Sequence, residues 1–156
     1  MFNNNENKNK NNIDNNIIFK ELLNKQIKNI SIEKKLNYND IKRISKFLNK
    51  TIFDNECSLW NGYITNNNNF NKGTYINFYF NKKKIALHRL LFTNFKDSIE
   101  SDEYIKYTCN NKGKCCNINH MIKCKYNNIK KNNKSKKNND EYINFNTEKN
   151  KLTIEF

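Results

Sequence analysis

Cys109-Asn-Asn-Lys-Gly-Lys-Cys115-Cys116-Asn-Ile-Asn-His120-Met-Ile-Lys-Cys124 gathers four of the chain's five cysteines and one of its two histidines into sixteen residues. A tetrahedral divalent ion such as Zn²⁺ needs four deprotonated sulfur or nitrogen donors. A short loop delivers three of them when the intervening residues are small or turn-forming, as Asn110, Asn111 and Gly113 are. The spacing Cys109-x5-Cys115-x4-His120 therefore predicts three ligands in one loop. Cys116 is disfavoured as the fourth because adjacent residues rarely point at one centre. Cys124 is close enough to reach, and Cys57 is remote but can be brought in by a turn around Trp60. Cys57 is the favoured fourth donor and Cys124 the alternate.

The surroundings of this loop are basic. The chain of 156 residues carries a formal charge of +14, and between Tyr104 and Asn138 it has ten lysines and no Asp or Glu. Such a field attracts polyphosphate backbones through salt-dependent, sequence-neutral contacts. It predicts a nucleic-acid partner, double-stranded DNA, contacted by Lys106, Lys112, Lys114, Lys123, Lys125, Lys130 and Lys131, with Arg89 as a phosphate clamp. The competing reading is a structural or virion-type zinc protein whose lysines reflect genome composition. Abundant Asn, Lys and Ile with no Pro suit an AT-rich genome, such as that of a large DNA virus or a protist.

The odd cysteine count, with four bunched together, suits metal ligation in a reducing compartment better than a disulfide framework. Cytoplasm, nucleus or a viral factory would fit. No leading signal peptide and no apolar run of membrane-spanning length is visible, so no membrane partner is expected.

The rest of the chain reads as an α+β domain with a core of about 90 residues. Residues 1–16 are an Asn-rich tail expected to be flexible. Apolar residues at helical spacing predict a helix over 17–30, and a second beginning at Asn39 or Asp40 with Ile41, Ile44, Leu48 and Ile52 on one face. These make 17–52 an N-terminal helical segment. The metal domain, 53–129, should contain strands at 57–64, 74–80 and 85–87, a helix at 88–95, and a strand at 103–108 returning at 121–126. A marginal helix over 127–137 leads into a basic tail, 130–156, with an edge strand at 152–156.

Cys57-x-x-Trp60-x-Gly62-Tyr63, then Ala86-Leu-His88-Arg89-Leu90, then Cys109 and Cys115-Cys116-Asn117-Ile-Asn119-His120-Met121, resembles the zinc-loop branch of the His-Me finger (ββα-metal, HNH-like) endonucleases, which includes homing endonucleases. The resemblance spans about residues 57–128. It implies a small zinc-stapled ββα-metal core and a structural Zn²⁺ on Cys57, Cys109, Cys115 and His120. In that family a histidine two residues before the first loop cysteine activates water, and an Asn on the following helix holds Mg²⁺ at the scissile phosphate. Here the base position is Tyr107, whose ordinary pKa of about 10 makes it a poor base at neutral pH, and the Mg²⁺ position falls at Asn128 or its neighbour Asn127. His88, the one histidine not assigned to zinc, is read as structural or phosphate-contacting rather than catalytic. A member that binds DNA with lost or weak cleavage is the leading expectation; an active Mg²⁺-dependent endonuclease is the alternative.

Overall fold

The computed structural model describes residues 4–69 and 71–127, with side chains from residue 15 onward. The order is α1 (Asn4–Lys25), α2 (Tyr38–Phe47), β1 (Asn77–Phe80), β2 (Lys83–Ala86), α3 (Leu87–Phe95), β3 (Glu103–Tyr107), a 3-10 turn (Ile118–His120) and β4 (Met121–Lys125). The class is α+β. Two separate antiparallel pairs, β1–β2 and β3–β4, replace any larger sheet among the described residues.

α1 and α2 pack through the residues whose spacing marks them as apolar faces: Ile18 and Leu22 on one, Ile41 and Ile44 on the other, all buried. α1 begins well before the expected start, inside the Asn-rich stretch read as a flexible tail. Asn has only an ordinary helix propensity, but extending a helix already seeded by packing costs little per residue. It also ends earlier than expected, at Lys25, because the chain beyond is captured by Asn94 on α3.

This capture is an unusually complete use of one amide. Asn94 is fully buried. Its Nδ2 donates to the carbonyls of Leu90 (2.8 Å) and Lys34 (2.9 Å), and its Oδ1 accepts from Leu36 N and Gln26 Nε2 at 2.9 Å each. Ile27 N donates to its backbone carbonyl at 2.9 Å. All four side-chain hydrogen-bonding positions are filled, so the loop between α1 and α2 is tied to α3 without an orphaned polar group.

The cap of α2 is Asn37, not Asn39 or Asp40. Asn37 Oδ1 accepts from Asp40 N (2.8 Å) while Asn37 N donates to Asp40 Oδ2 (3.1 Å). Asp40 thus serves as the reciprocal third-position member of a capping box. Leu48 and Ile52 lie past the helix end yet remain buried in the same core.

The strand expected at 57–64 does not form. Trp60 N donates to Lys114 O, Asn61 N to Phe47 O, and Cys116 N to Ser58 O. The segment alternates between two partners, the end of α2 and the metal loop, and so makes single bridges (Leu48 with Trp60, Leu59 with Cys115) in place of a ladder. β1 is shorter than the expected 74–80, whereas β2 starts two residues before the expected 85–87 and ends one residue before it; the two turn through Asn81 and Lys82, both at positive φ (48° and 63°), the combination that matches hairpin twist. β3 and β4 pair as anticipated, from Glu103 with Lys125 to Tyr107 with Met121. The expected helix over 127–137 and edge strand at 152–156 fall, from residue 128 on, outside the described residues.

α3 separates two cores. Leu87, Leu90, Leu91 and Phe95 face the helices and the β1–β2 hairpin. Phe92 joins Ile99, Ile105, Tyr107, Cys115 and Met121 in a smaller cluster, with Cys57 and Cys109 packed against it.

Replacing Asn94 by Ala should destabilise the protein by about 3 kcal/mol, since it strands buried partners on three segments. Chemical denaturation of the two proteins measures it.

Candidate metal centre

The tip of the β3–β4 ribbon and the segment following α2 meet at the Cys/His cluster. Cys109 follows β3 by two residues, and His120 immediately precedes β4. The loop between them turns at Asn111, whose carbonyl accepts from Lys114 N (3.1 Å) and Cys115 N (3.0 Å). Cys57 arrives beside Cys115 because Ser58 and Trp60 are hydrogen-bonded to Cys116 and Lys114.

One donor atom each from Cys57, Cys109, Cys115 and His120 lies within 4.8 Å of all the others. His120 Nδ1 is 3.4 Å from Cys57 Sγ and 3.5 Å from Cys115 Sγ. A tetrahedral zinc site with bonds of about 2.3 Å to sulfur and 2.0–2.1 Å to nitrogen has sulfur–nitrogen edges of roughly 3.5 Å. The four side chains are therefore spaced to hold a metal ion such as zinc.

The imidazole is also correctly set. Its Nε2 lies 2.7 Å from the carbonyl of Asn55, which accepts only from a protonated nitrogen. Nδ1 is thereby left with its lone pair toward the three sulfurs, the outer-shell arrangement typical of a metal-bound histidine.

Two asparagines hold the same segment. Fully buried Asn117 donates from Nδ2 to the carbonyls of Asp54 (2.7 Å) and Glu56 (2.5 Å), and its Oδ1 accepts from Asn119 N (2.8 Å). Asn119 Nδ2 donates to Phe53 O (2.7 Å), and Ile118 N to Ile52 O (3.0 Å). Residues 52–56 are thus stitched to 117–120, which brings Cys57 to the other ligands. Neither asparagine stands out in a sequence crowded with Asn; the signal was their position in Cys-x-Asn-x-x-His, adjoining donors that do.

The protein alone resists ionising two of the three thiols. Burial pushes the Cys115 thiol up to about 12 and raises Cys109. At Cys57 burial acts in the same direction, but hydrogen bonds led by Asn111 outweigh it and bring the thiol below its ordinary value. A bound divalent cation supplies the charge that lets three thiolates share one site.

The other cysteines are excluded by direction. Cys116 is buried in the main core while its neighbour Cys115 belongs to the smaller cluster. Cys124 sits on β4 opposite Tyr104, outside the four-donor group.

Among the residues considered for hydrolysis, Tyr107 is 3% exposed in the smaller core. Burial, then the charges of Cys116, Cys115 and Cys109, holds its phenol well above the ordinary value. His88 is 5% exposed, its ring centroid 5.8 Å from that of Tyr107, with Nε2 buried and without a hydrogen-bond partner among the described residues. Burial and the adjacent Arg89 charge lower its pKa to about 4. Asn127 is exposed. Asn128, Lys130 and Lys131 lie outside the described residues.

The remaining basic residues divide into two groups. Lys123 Nζ donates to Asp97 Oδ2 (2.7 Å) and Ser98 O (2.9 Å), with Glu103 at 3.6 Å; its charge is matched within the protein. Arg89 reaches the Glu103 carbonyl at 3.5 Å. Lys106 is half-buried on β3, Lys125 is exposed at the end of β4, and Lys112 and Lys114 are half-buried on the metal loop.

Metal analysis should find about one ion per chain. Cys109→Ser or His120→Ala should unfold the domain as chelation does, and Asn117→Ala should lower metal affinity by about 10- to 100-fold, read by competition with a chromophoric chelator. His88 generates a pH dependence. Its imidazole stays neutral in the folded protein to about pH 4 but takes a proton near 6.5 when unfolded. Between those values the unfolded chain binds the extra proton, so stability falls as the pH is lowered from about 6.5 to about 4, by about 3 kcal/mol in all. Unfolding of the metal-loaded protein from pH 7 to 4 should show this component, and His88→Leu should lack it.

No family model and no solved structure matches the chain. It is 59% identical over 112 residues to an uncharacterized protein of Acanthamoeba polyphaga mimivirus, a match covering 71% of this chain. The chain spans about a third of that relative's length, 33%.

Proposed function

We propose that this is a zinc-stapled domain of the His-Me finger type that binds nucleic acid, double-stranded DNA, through the basic surface around its metal loop, without efficient cleavage. The observation that carries the reading is the Cys57–Cys109–Cys115–His120 cluster at metal-ligand spacing, with Lys112 and Lys114 on the same loop. Neither lysine is paired with a carboxylate among the described residues. A loop clamped by metal presents ammonium groups in fixed positions, which lowers the ordering cost of phosphate contacts.

The order strand, Cys109, loop, His120, strand supports the His-Me finger assignment. The reading without efficient cleavage is supported by where the two candidate bases lie. Tyr107 and His88 are both enclosed in the core, and a general base must come within hydrogen-bond reach of its water. Mg²⁺ would enter only as the cofactor of a nuclease. Thiolate ligation would suit a reducing compartment, whether cytoplasm, nucleus or viral factory. Among the described residues no helix is long and apolar enough to cross a membrane.

The metal-loaded protein should bind duplex DNA with log affinity falling linearly in log salt, at a slope of about −0.9 per phosphate contacted. It should leave supercoiled plasmid intact in Mg²⁺ or Mn²⁺. A slope near zero would favour the structural zinc protein; nicking abolished by Tyr107→Phe or His88→Ala would establish the endonuclease.

A further inference from the structure

Beside the metal loop lies a cleft of about 160 Å³. One wall is the loop carrying Asn67, Asn69, Lys72 and Thr74; the other carries Lys112 and Lys114. No carboxylate lines it, and none of the three lysines has an ion-pair partner among the described residues. Three lysines line it together with the side-chain amides of Asn67 and Asn69, a donor-rich set that lacks a counter-charge among the described residues.

Both walls are braced. Thr65 and Tyr75 exchange backbone hydrogen bonds (2.8 and 3.3 Å), Asn66 Nδ2 donates to Gly73 O (3.1 Å), and Thr74 Oγ1 donates to Asn66 O (3.3 Å). The facing wall is the turn closed on Asn111, held between donors Cys109 and Cys115. The walls touch at Gly113, whose φ is +77° and whose position would drive any Cβ into the Thr74 carbonyl oxygen. Only glycine permits that approach, and it sets Lys112 and Lys114 against the Lys72 side.

We propose that this cleft is a phosphate-binding site, with Lys72, Lys112 and Lys114 as its cationic contacts, and that its occupant is a backbone phosphate of bound nucleic acid. The inference rests on the nucleic-acid reading above and adds to it a location and a residue, Lys72, that lies far from the lysine-rich run in sequence. Such contacts set affinity and register but are indifferent to base sequence.

The test uses the metal-loaded full chain, the triple variant Lys72→Gln/Lys112→Gln/Lys114→Gln, and a charge-matched control, Lys20→Gln/Lys28→Gln/Lys42→Gln, none of whose positions lines the cleft. Binding of two unrelated fluorescent duplexes is titrated against salt. The cleft variant should lose about 2–3 from the slope magnitude on both duplexes, and the control less than half as much. An unchanged slope in the cleft variant, with wild type still binding, overturns the cleft and leaves the nucleic-acid reading standing. Inorganic pyrophosphate is titrated separately while the Gly73, Thr74 and Gly113 amide resonances are followed. If wild type binds no duplex, that reading fails. Shifts at those amides, absent from the cleft variant, would then support a site for a free phosphate group, and no shifts would overturn the site.

Discussion

Everything distinctive about this fold depends on bringing residue 57 to residues 109, 115 and 120. No continuous sheet does it. The work is divided between backbone bonds from Ser58 and Trp60 to the metal loop and the buried Asn117 amide, which reaches two carbonyls of the 54–56 segment. A structural zinc in a small domain contributes on the order of 10 kcal/mol, comparable with the whole net stability of such a domain. With two small antiparallel pairs and a divided core, the ion would decide whether the second core exists at all.

The two cores have different means of support. The larger rests on helix packing and on Asn94, an amide with every hydrogen-bonding position filled. The smaller is formed by residues flanking the metal ligands, Cys57, Cys109 and Cys115 among them. Tyr107 belongs to it, and its phenol packs beside Cys109 and Cys115. His88 lies against Tyr107, its Nε2 without a hydrogen-bond partner among the described residues, a polar group the fold carries at a cost in acid.

The metal donors were legible in the sequence because cysteine and histidine are scarce in it, so a cluster is informative. The helix faces were legible on other grounds, since Ile and Leu recur at helical spacing among polar residues. The asparagines were not. Asn37 and Asn94 have specific structural tasks, but Asn is so common here that neither stands out; Asn117 and Asn119 were marked only by adjoining the cysteine and histidine donors, and the cap of α2 was misplaced among several Asn and Asp candidates. The segment 57–64 failed differently. Its pattern of apolar residues suits a strand, yet whether a strand forms depends on having one continuous partner, which only the tertiary arrangement determines. Lys123 resembles the other lysines of the basic run in sequence, and only the proximity of Asp97 and Glu103 sets it apart.

X-ray absorption spectroscopy on the zinc-loaded protein gives the most direct view of the central interaction. Three sulfurs at about 2.3 Å and one nitrogen at 2.0–2.1 Å are expected, with the nitrogen lost and the protein destabilised when His120 is replaced. A shell of oxygen and nitrogen without sulfur, or one unchanged on replacing Cys57, would mean that these four side chains do not share an ion.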